Sequence, residues 1–275
     1  MVPEVLMISK PIVPPFDDSG KNIVVSQIQN GQTYRYRVLT VKNASLPWPN
    51  VASAAIYGNA GEYSPQLTQN IKVMMYGLRP RGASIYHYFF APNLITSTAG
   101  RLQKLLAKVK TVQTVCSQPK SFENIKKLIF ADRVIVLSEM TRKLMVDGGI
   151  SENRLVHVRP GIDFIKRQNS TVRGAIKEKY GIPKDAQMVV FPGDYEFSSA
   201  ASTVAKAVPL LVESHSKICI VFACRIKRPA SLAIRDTIKA QIKEQGFSKQ
   251  TVFLERVEDM PSFVGAADVA VMPSE

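Results

Sequence analysis

A chain of 275 residues with 45% hydrophobic content is long enough for two domains of ordinary size, each with its own core. No apolar run reaches the ~18 residues of a membrane-spanning helix. Three cysteines, Cys116, Cys219 and Cys224, are too few and too ill-spaced for a disulfide framework or a zinc site. The formal charge is +14, and most of the excess precedes residue 166. The partners to weigh are therefore an anionic membrane surface, nucleic acid, or an acidic or phosphorylated substrate, against a merely solvated basic surface.

The opening MVPEVLMISKP holds an apolar strand at Val5–Ile8. It has neither a basic leading segment nor a long apolar stretch, so a reduced, cytoplasmic protein is expected rather than a secreted one. The Pro-Pro and Asp-Asp-Ser-Gly stretch that follows is a loop. From near Gly20 the residues Ile23, Val24 and Ile28 fall at helical spacing. Ser19, Gly20 and Lys21 at that helix start form a candidate anion site, because the first N–H groups of a helix lack intrahelical partners. The alternative is an ordinary strand-to-helix turn.

Tyr34–Val41 alternates as a strand does. Residues 43–66, rich in Pro, Asn, Gly and Ala, read as a long loop or two short turns. Trp48 within them covers an acceptor, touches a membrane or packs over a core edge. Gln69–Leu78 reads as a helix and Ser84–Phe90 as a buried strand containing His87, with Asn93 just beyond it. Next come a helix at Ser97–Leu106, a strand at Thr111–Val115 ending at Cys116, and a helix at Ser121–Ile129 capped by Ser121.

Arg133–Leu137 is a strand. The helix Ser138–Asp147 is capped by the Ser138 hydroxyl, ended by Gly148-Gly149, and carries Arg142. After a strand at Leu155–Arg159, a Pro-Gly turn reads as the hinge between domains 1–163 and 164–275. Ligand groups in open parallel sheets gather at the carboxyl ends of strands. In the first domain those ends are Ser9–Gly20, His87–Asn93, Cys116–Gln118 and Ser138–Arg142.

Beyond the hinge, a basic helix spans 170–182. Strands follow at Gln187–Phe191, Ile218–Ala223, Thr251–Leu254 and Asp268–Met272. Helices lie between them at 203–214, from Pro229 with Ile234, Ile238 and Ile242 as its buried stripe, and from Pro261. This is a Rossmann-like order.

Two stretches carry a resemblance to a known family. Residues 130–163 (FADRVIVLSEMTRKLMVDGGISENRLVHVRPGID) and residues 253–274 (FLERVEDMPSFVGAADVAVMPS) resemble the family 4 glycosyltransferases of the GT-B fold. The resemblance implies an α/β architecture of two Rossmann-like domains facing a cleft. It further implies transfer of a sugar, with retention, from a nucleotide-sugar donor on the second domain to an acceptor on the first, with no metal or other cofactor. It places Gly20 near the donor phosphate, and Ser19, Lys21, Asn93 and Arg142 on the acceptor side. His87 and Cys116 become the catalytic candidates, Cys116 standing where the family has a histidine. On the donor side it assigns Gly193, Val257 and Met260. Arg225 and Lys227, at the end of the second strand of that domain, either replace the family's phosphate-binding cations or are surface charges.

The chain also departs from the family pattern. Asp194 follows Gly193 where an arginine is usual, and the next basic residue is Lys206. The E-x7-E motif expected after Pro273-Ser274 is not present before Glu275, so a truncated second domain is expected. An exposed VAVMP edge would then promote self-association. The competing expectation is a non-catalytic GT-B-like protein with another ligand in its cleft. The basic first domain suggests a lipid-linked or membrane-proximal acceptor and a peripheral position on the inner face of a membrane. Nucleic acid is disfavoured, because no recognised module is present and the aromatics sit in strand patterns.

Overall fold

In the computed structural model, which describes residues 2–14, 16, 18–58, 67–119, 121–161, 168–196, 199–226 and 229–273, apolar strands alternate with helices to build two parallel sheets. The chain divides into unit 1, Met1–Ile162, and unit 2, Asp163–Glu275. Among the described residues no helix is long and apolar enough to cross a membrane.

Unit 1 contains β1 (Glu4–Ile8), α1 (Ser19–Asn30), β2 (Arg35–Val41), β3 (Val51–Tyr57), α2 (Leu67–Tyr76), β4 (Ala83–Phe89), α3 (Leu94–Ala107), β5 (Lys110–Val115), α4 (Ile125–Leu128), β6 (Arg133–Val136), α5 (Glu139–Asp147) and β7 (Leu155–His157). Its sheet runs in the order β3-β2-β1-β4-β5-β6-β7, with every neighbouring pair parallel. The period-2 geometry of a strand sends successive side chains to opposite faces. Val5 and Met7 of β1 accordingly join Val24, Val25 and Ile28 of α1 in one core. Leu6 and Ile8 join Tyr86, Tyr88, Phe130 and Ala107 in the other. Burying one such side chain contributes about 1.5–3 kcal/mol. Apolar residues on both faces are therefore what make β1 and β4 central strands.

Unit 2 contains α6 (Ser170–Lys179), β8 (Gln187–Phe191), α7 (Ala200–Ser214), β9 (Ile218–Ala223), α8 (Pro229–Glu244), β10 (Thr251–Leu254), α9 (Met260–Ala266) and β11 (Val269–Ala270). The sheet order is β10-β9-β8-β11, again parallel. Val189, Phe191, Ile220 and Phe222 pack on α7 and α8, while Met188, Val190, Cys219 and Val221 pack with Ile182 and Phe263 on the other face.

Several expectations are corrected. Part of the supposed loop 43–66 is β3, an edge strand. Its sequence VASAAIY lacks the β-branched run that marks a strand. It is held chiefly by its ladder with β2 from Tyr36 to Val41. Residues 59–66 lie outside the described residues. The loop before β3 packs Trp48 against Phe16, ring centroids 5.5 Å apart, on the α1-side core.

The helix expected over Ser121–Ile129 is only the single turn α4. Its N-cap is Asn124, without a side-chain bond, and the Ser121 hydroxyl instead accepts from Glu123 N–H at 3.2 Å. Helix α7 starts three residues early, at Ala200, because Ala200 and Ala201 are good helix formers that also bury. In α8 the inward face runs through Ser231, Ile238 and Ile242, leaving Ile234 36% exposed. Strand β11 shrinks to Val269–Ala270. The turn read as a hinge runs into 162–167, outside the described residues.

Candidate functional site

In the unit 1 sheet, β2 lies on one side of β1 and β4 on the other. The chain thus reverses its winding direction between β1 and β4. Loops leaving the carboxyl ends of such a pair diverge and open a crevice. A cavity of about 520 Å³ occupies this place. Ile8, Ser9 and Lys10 enter it from the end of β1, Phe89, Phe90, Ala91 and Asn93 from the end of β4, and Cys116 and Ser117 from the end of β5. The first turn of α1 supplies Asp18, Ser19, Gly20 and Lys21. Leu67, Ile71, Val73 and Met74 of α2 form an apolar wall that Asn70 interrupts, and Tyr57, Tyr88 and Gln103 also line the cavity.

The cavity has one polar end. Lys10 Nζ donates to Asp18 Oδ2 at 2.9 Å. Asp18 is also the N-cap of α1: its Oδ1 accepts from Gly20 N–H at 3.0 Å and from Lys21 N–H at 3.3 Å. Burial pushes the Asp18 carboxyl upward, but the hydrogen bond and charge of Lys10, with the two N–H groups, more than reverse this and hold it below its ordinary value of 3.8. The open anion site expected at Ser19–Lys21 is therefore corrected. The helix N–H groups of Gly20 and Lys21 already receive a carboxylate of the chain itself. Gly20 sits where a Cβ would come within 3.1 Å of Asp18 Oδ1, so a side chain there would crowd the cap.

Cys116 stands beside this pair. Its thiol donates to the Thr114 carbonyl at 3.7 Å. Burial, aided by the Asp18 charge, pushes it up to about 12. It is a protonated thiol at neutral pH, a small polar wall and no thiolate nucleophile.

His87 is not brought to the cavity. It is 3% exposed inside β4, with its ring 4.0 Å from that of Phe89. Gln27 Nε2 lies 3.4 Å from His87 Nδ1, and His87 Nε2 lies 2.7 Å from Thr114 Oγ1. The Gln27 amide nitrogen, which faces Nδ1, can only donate, so Nδ1 accepts and Nε2 carries the hydrogen that Thr114 accepts. Burial lowers the His87 pKa to about 3. The catalytic reading of His87 gives way to a neutral, fully bonded core histidine.

Asn93 lines the cavity but is occupied as the N-cap of α3, where Oδ1 accepts from Thr96 N–H at 3.0 Å. Arg142 does not reach the cavity. It bonds Glu139 through Nε at 2.9 Å and also pairs with Glu152, and these carboxylates raise its pKa. A surface ion-pair cluster, closed by His157 at 3.4 Å from Glu139, consumes the group once assigned to the acceptor.

In unit 2, Gly193 follows β8. A Cβ there would come within 2.1 Å of the Phe191 ring, so glycine is needed to let that ring fold over the backbone. Asp194 turns back to accept from Glu196 N–H at 2.9 Å. Arg225 lies past the end of β9, at the carboxyl end of the sheet. Val257 and Met260 pack against the core cluster of Ile182 and Phe263. Lys227 lies outside the described residues. Among the described residues no group of His, Cys, Asp and Glu is placed to hold a metal ion.

No family model matches the sequence, and no curated protein matches it. Solved structures do. The chain is similar to Alr3699/HepE of Anabaena, solved with UDP, over 98% of this chain and 73% of that one, at 13% identity and a TM-score of 0.69. It is similar to WaaG, a glycosyltransferase of lipopolysaccharide biosynthesis, over 98% and 75%, at 12% identity and 0.67. The catalytic domain of starch synthase IV of Arabidopsis thaliana, bound to ADP and acarbose, matches over 98% and 77%, at 10% identity and 0.65.

The fold is GT-B-like. At these identities the likeness is one of fold.

Within this GT-B-like fold the unit 1 cavity uses residues that sequence reasoning passed over. Lys10 and Asp18 sat in a stretch read as loop, although an Asp directly before Ser-Gly and an apolar helical run is an N-cap signal. Gln103 was lost inside a helix. It accepts from Tyr88 OH at 3.0 Å and donates to the Val73 and Met74 carbonyls at 3.1 and 3.0 Å, tying α3 to α2 behind the cavity. Tyr57 OH donates to the Ser9 carbonyl at 2.6 Å and fixes the loop that presents Lys10.

Proposed function

We propose that the chain transfers a sugar from a nucleotide-sugar donor to an acceptor, with retention of anomeric configuration, as a family 4 glycosyltransferase. The observation that carries this reading is the unit 1 cavity. Its volume of about 520 Å³ suits a small ligand. Its aromatic and aliphatic walls close on one ion pair, Lys10–Asp18, that can bond hydroxyl groups. Unit 1 then holds the acceptor, and unit 2 holds the donor near Gly193, Arg225, Val257 and Met260. The reading is supported by neighbours of the same fold solved with UDP and with UDP-glucose. Retention rests on the family resemblance of residues 253–274. A departing diphosphate develops negative charge, and Arg225 is a described cation at the carboxyl end of the unit 2 sheet that can meet it.

Calorimetric titration with UDP and UDP-glucose tests the donor assignment, and absence of heat with either would overturn it. Lys10→Met tests the acceptor assignment. A lost charge-assisted hydrogen bond is worth ~1.5–3 kcal/mol, so kcat/KM for the acceptor should fall about tenfold or more while UDP affinity stays unchanged. An unaltered kcat/KM would remove Lys10 from the site.

A second reading, binding without turnover, is favoured by one observation. The residue after Gly193 is Asp194, whose carboxylate serves a local turn. Under that reading UDP-glucose binds but releases no UDP in the presence of acceptors.

A further inference from the structure

We propose that the outward faces of α2 and α3 dock unit 1 onto an anionic lipid bilayer. A surface helix normally turns its apolar stripe inward. Helix α3 does the reverse. Its inward face is Ser97, Gly100, Gln103 and Ala107, all buried. Each of the first three is fixed by a specific contact. Ser97 Oγ donates to the Leu128 carbonyl at 2.7 Å, Gly100 lies against the Phe130 ring, and Gln103 bonds α2 and Tyr88. The helix cannot roll to hide its leucines without breaking these. Leu94, Ile95, Leu105 and Leu106 are left 60%, 74%, 70% and 53% exposed. Helix α2, bonded to α3 through Gln103, adds Leu67, Ile71 and Met75 at i, i+4 and i+8, all exposed. Contiguous exposed apolar surface on this scale marks an interaction site.

Charge selects the occupant. From Leu67 to Lys110 the sequence has no Asp or Glu, while Lys72, Arg79, Arg81, Arg101 and Lys108 are exposed. Two copies of a segment with so unbalanced a positive charge repel each other. A bilayer bearing anionic headgroups supplies both the apolar depth and the opposite charge, as it does for interfacial amphipathic helices. Leu67, Ile71 and Ile95 also line the cavity, so docking of this face brings the cavity to the membrane surface. Docking of this face does not depend on sugar transfer.

The test is co-sedimentation of the full chain with vesicles of phosphatidylcholine alone and of phosphatidylcholine mixed with phosphatidylglycerol. Binding is expected only to the anionic vesicles, and it should weaken as salt is added. The double variant Leu105→Gln, Leu106→Gln should weaken it about tenfold or more. Leu210→Gln, which alters an exposed leucine of α7 outside this face, should leave it unchanged. In Leu105→Trp the added indole should shift its emission to the blue on anionic vesicles. The proposal is overturned by failure to bind anionic vesicles at low salt, or by binding that ignores the double variant. It is equally overturned by a concentration-dependent dimer, seen in light scattering, that the double variant abolishes.

Discussion

Replacing Gly100 with valine is expected to cost the chain about 1–3 kcal/mol of stability. Replacing Gly174 with alanine is expected to add about 0.5–1 kcal/mol. Both glycines lie inside helices, α3 and α6, where glycine is disfavoured against alanine for its backbone entropy. They differ in what stands over them. A Cβ at Gly100 would meet three atoms of the Phe130 ring at 2.2–2.7 Å. Phe130 cannot retreat, because it packs edge-on against Tyr88 with centroids 4.9 Å apart, and Tyr88 is anchored through Gln103. Helix α3 must lift off the sheet, and the overpacking outweighs the entropy gain. At Gly174 nothing lies within 4 Å of the added carbon, so only the entropy gain remains. Urea midpoints at constant slope read both effects. A midpoint for Gly100→Val equal to that of the parent would show that α3 is not seated on Phe130 as described.

The same helix shows how far sequence reading reaches. Its existence and approximate span follow from residue types, as do those of β1, β4, β8 and β9, whose apolar runs leave few alternatives. Which face points inward does not follow. Leu102, Leu105 and Leu106 fit an apolar stripe as well as any core helix, and only the seat of Gly100 on Phe130 and the bonds of Gln103 turn them out. Strand β3 was hidden because its small residues pack little and its stability comes from the ladder with β2, a non-local partner. The candidate site was legible by place more than by residue. Of the strand ends Ser9–Gly20, His87–Asn93, Cys116–Gln118 and Ser138–Arg142, the first three contribute residues to one cavity and Ser138–Arg142 contributes none. Within them the chemistry depends on a local pairing, Lys10 with Asp18 across the β1–α1 loop, that residue types alone do not single out. His87 lies in the strand interior, where alternation points it toward Gln27 of α1. Arg142 was assigned from its position on α5, but its charge is spent on Glu139 and Glu152, which sequence spacing alone does not weigh against a ligand.

Acidification should destabilise the chain well before its carboxylates titrate, and His87 is the reason. Burial holds its folded-state pKa near 3, against an ordinary 6.5 in the unfolded chain. Below pH 6.5 the unfolded chain binds a proton at this residue that the folded chain refuses. The stability contributed by neutral His87 is therefore present above pH 6.5 and is lost as pH falls from there toward about 3. The slope is about 1.4 kcal/mol per pH unit, so roughly 2 kcal/mol is lost by about pH 5. Asp18, Asp132 and Asp268 act in a lower window. Burial opposes their charge, but Lys10, Lys104 and Arg173 with backbone N–H groups win, and each carboxyl stays below its ordinary 3.8. Their contribution is present above 3.8 and is lost as pH falls through the lower folded values. The two windows separate in a series of urea titrations across pH. In His87→Gln, whose amide can still bond Gln27 and Thr114, the loss between pH 6.5 and about 5 should vanish while the steeper acid limb remains. If the chain carries out the proposed sugar transfer, turnover at neutral pH should survive in the same variant, because the imidazole is not among the residues that line the cavity. A slope that persists in His87→Gln would place the responsible proton on another group. A loss of turnover without loss of stability would return His87 to the reaction.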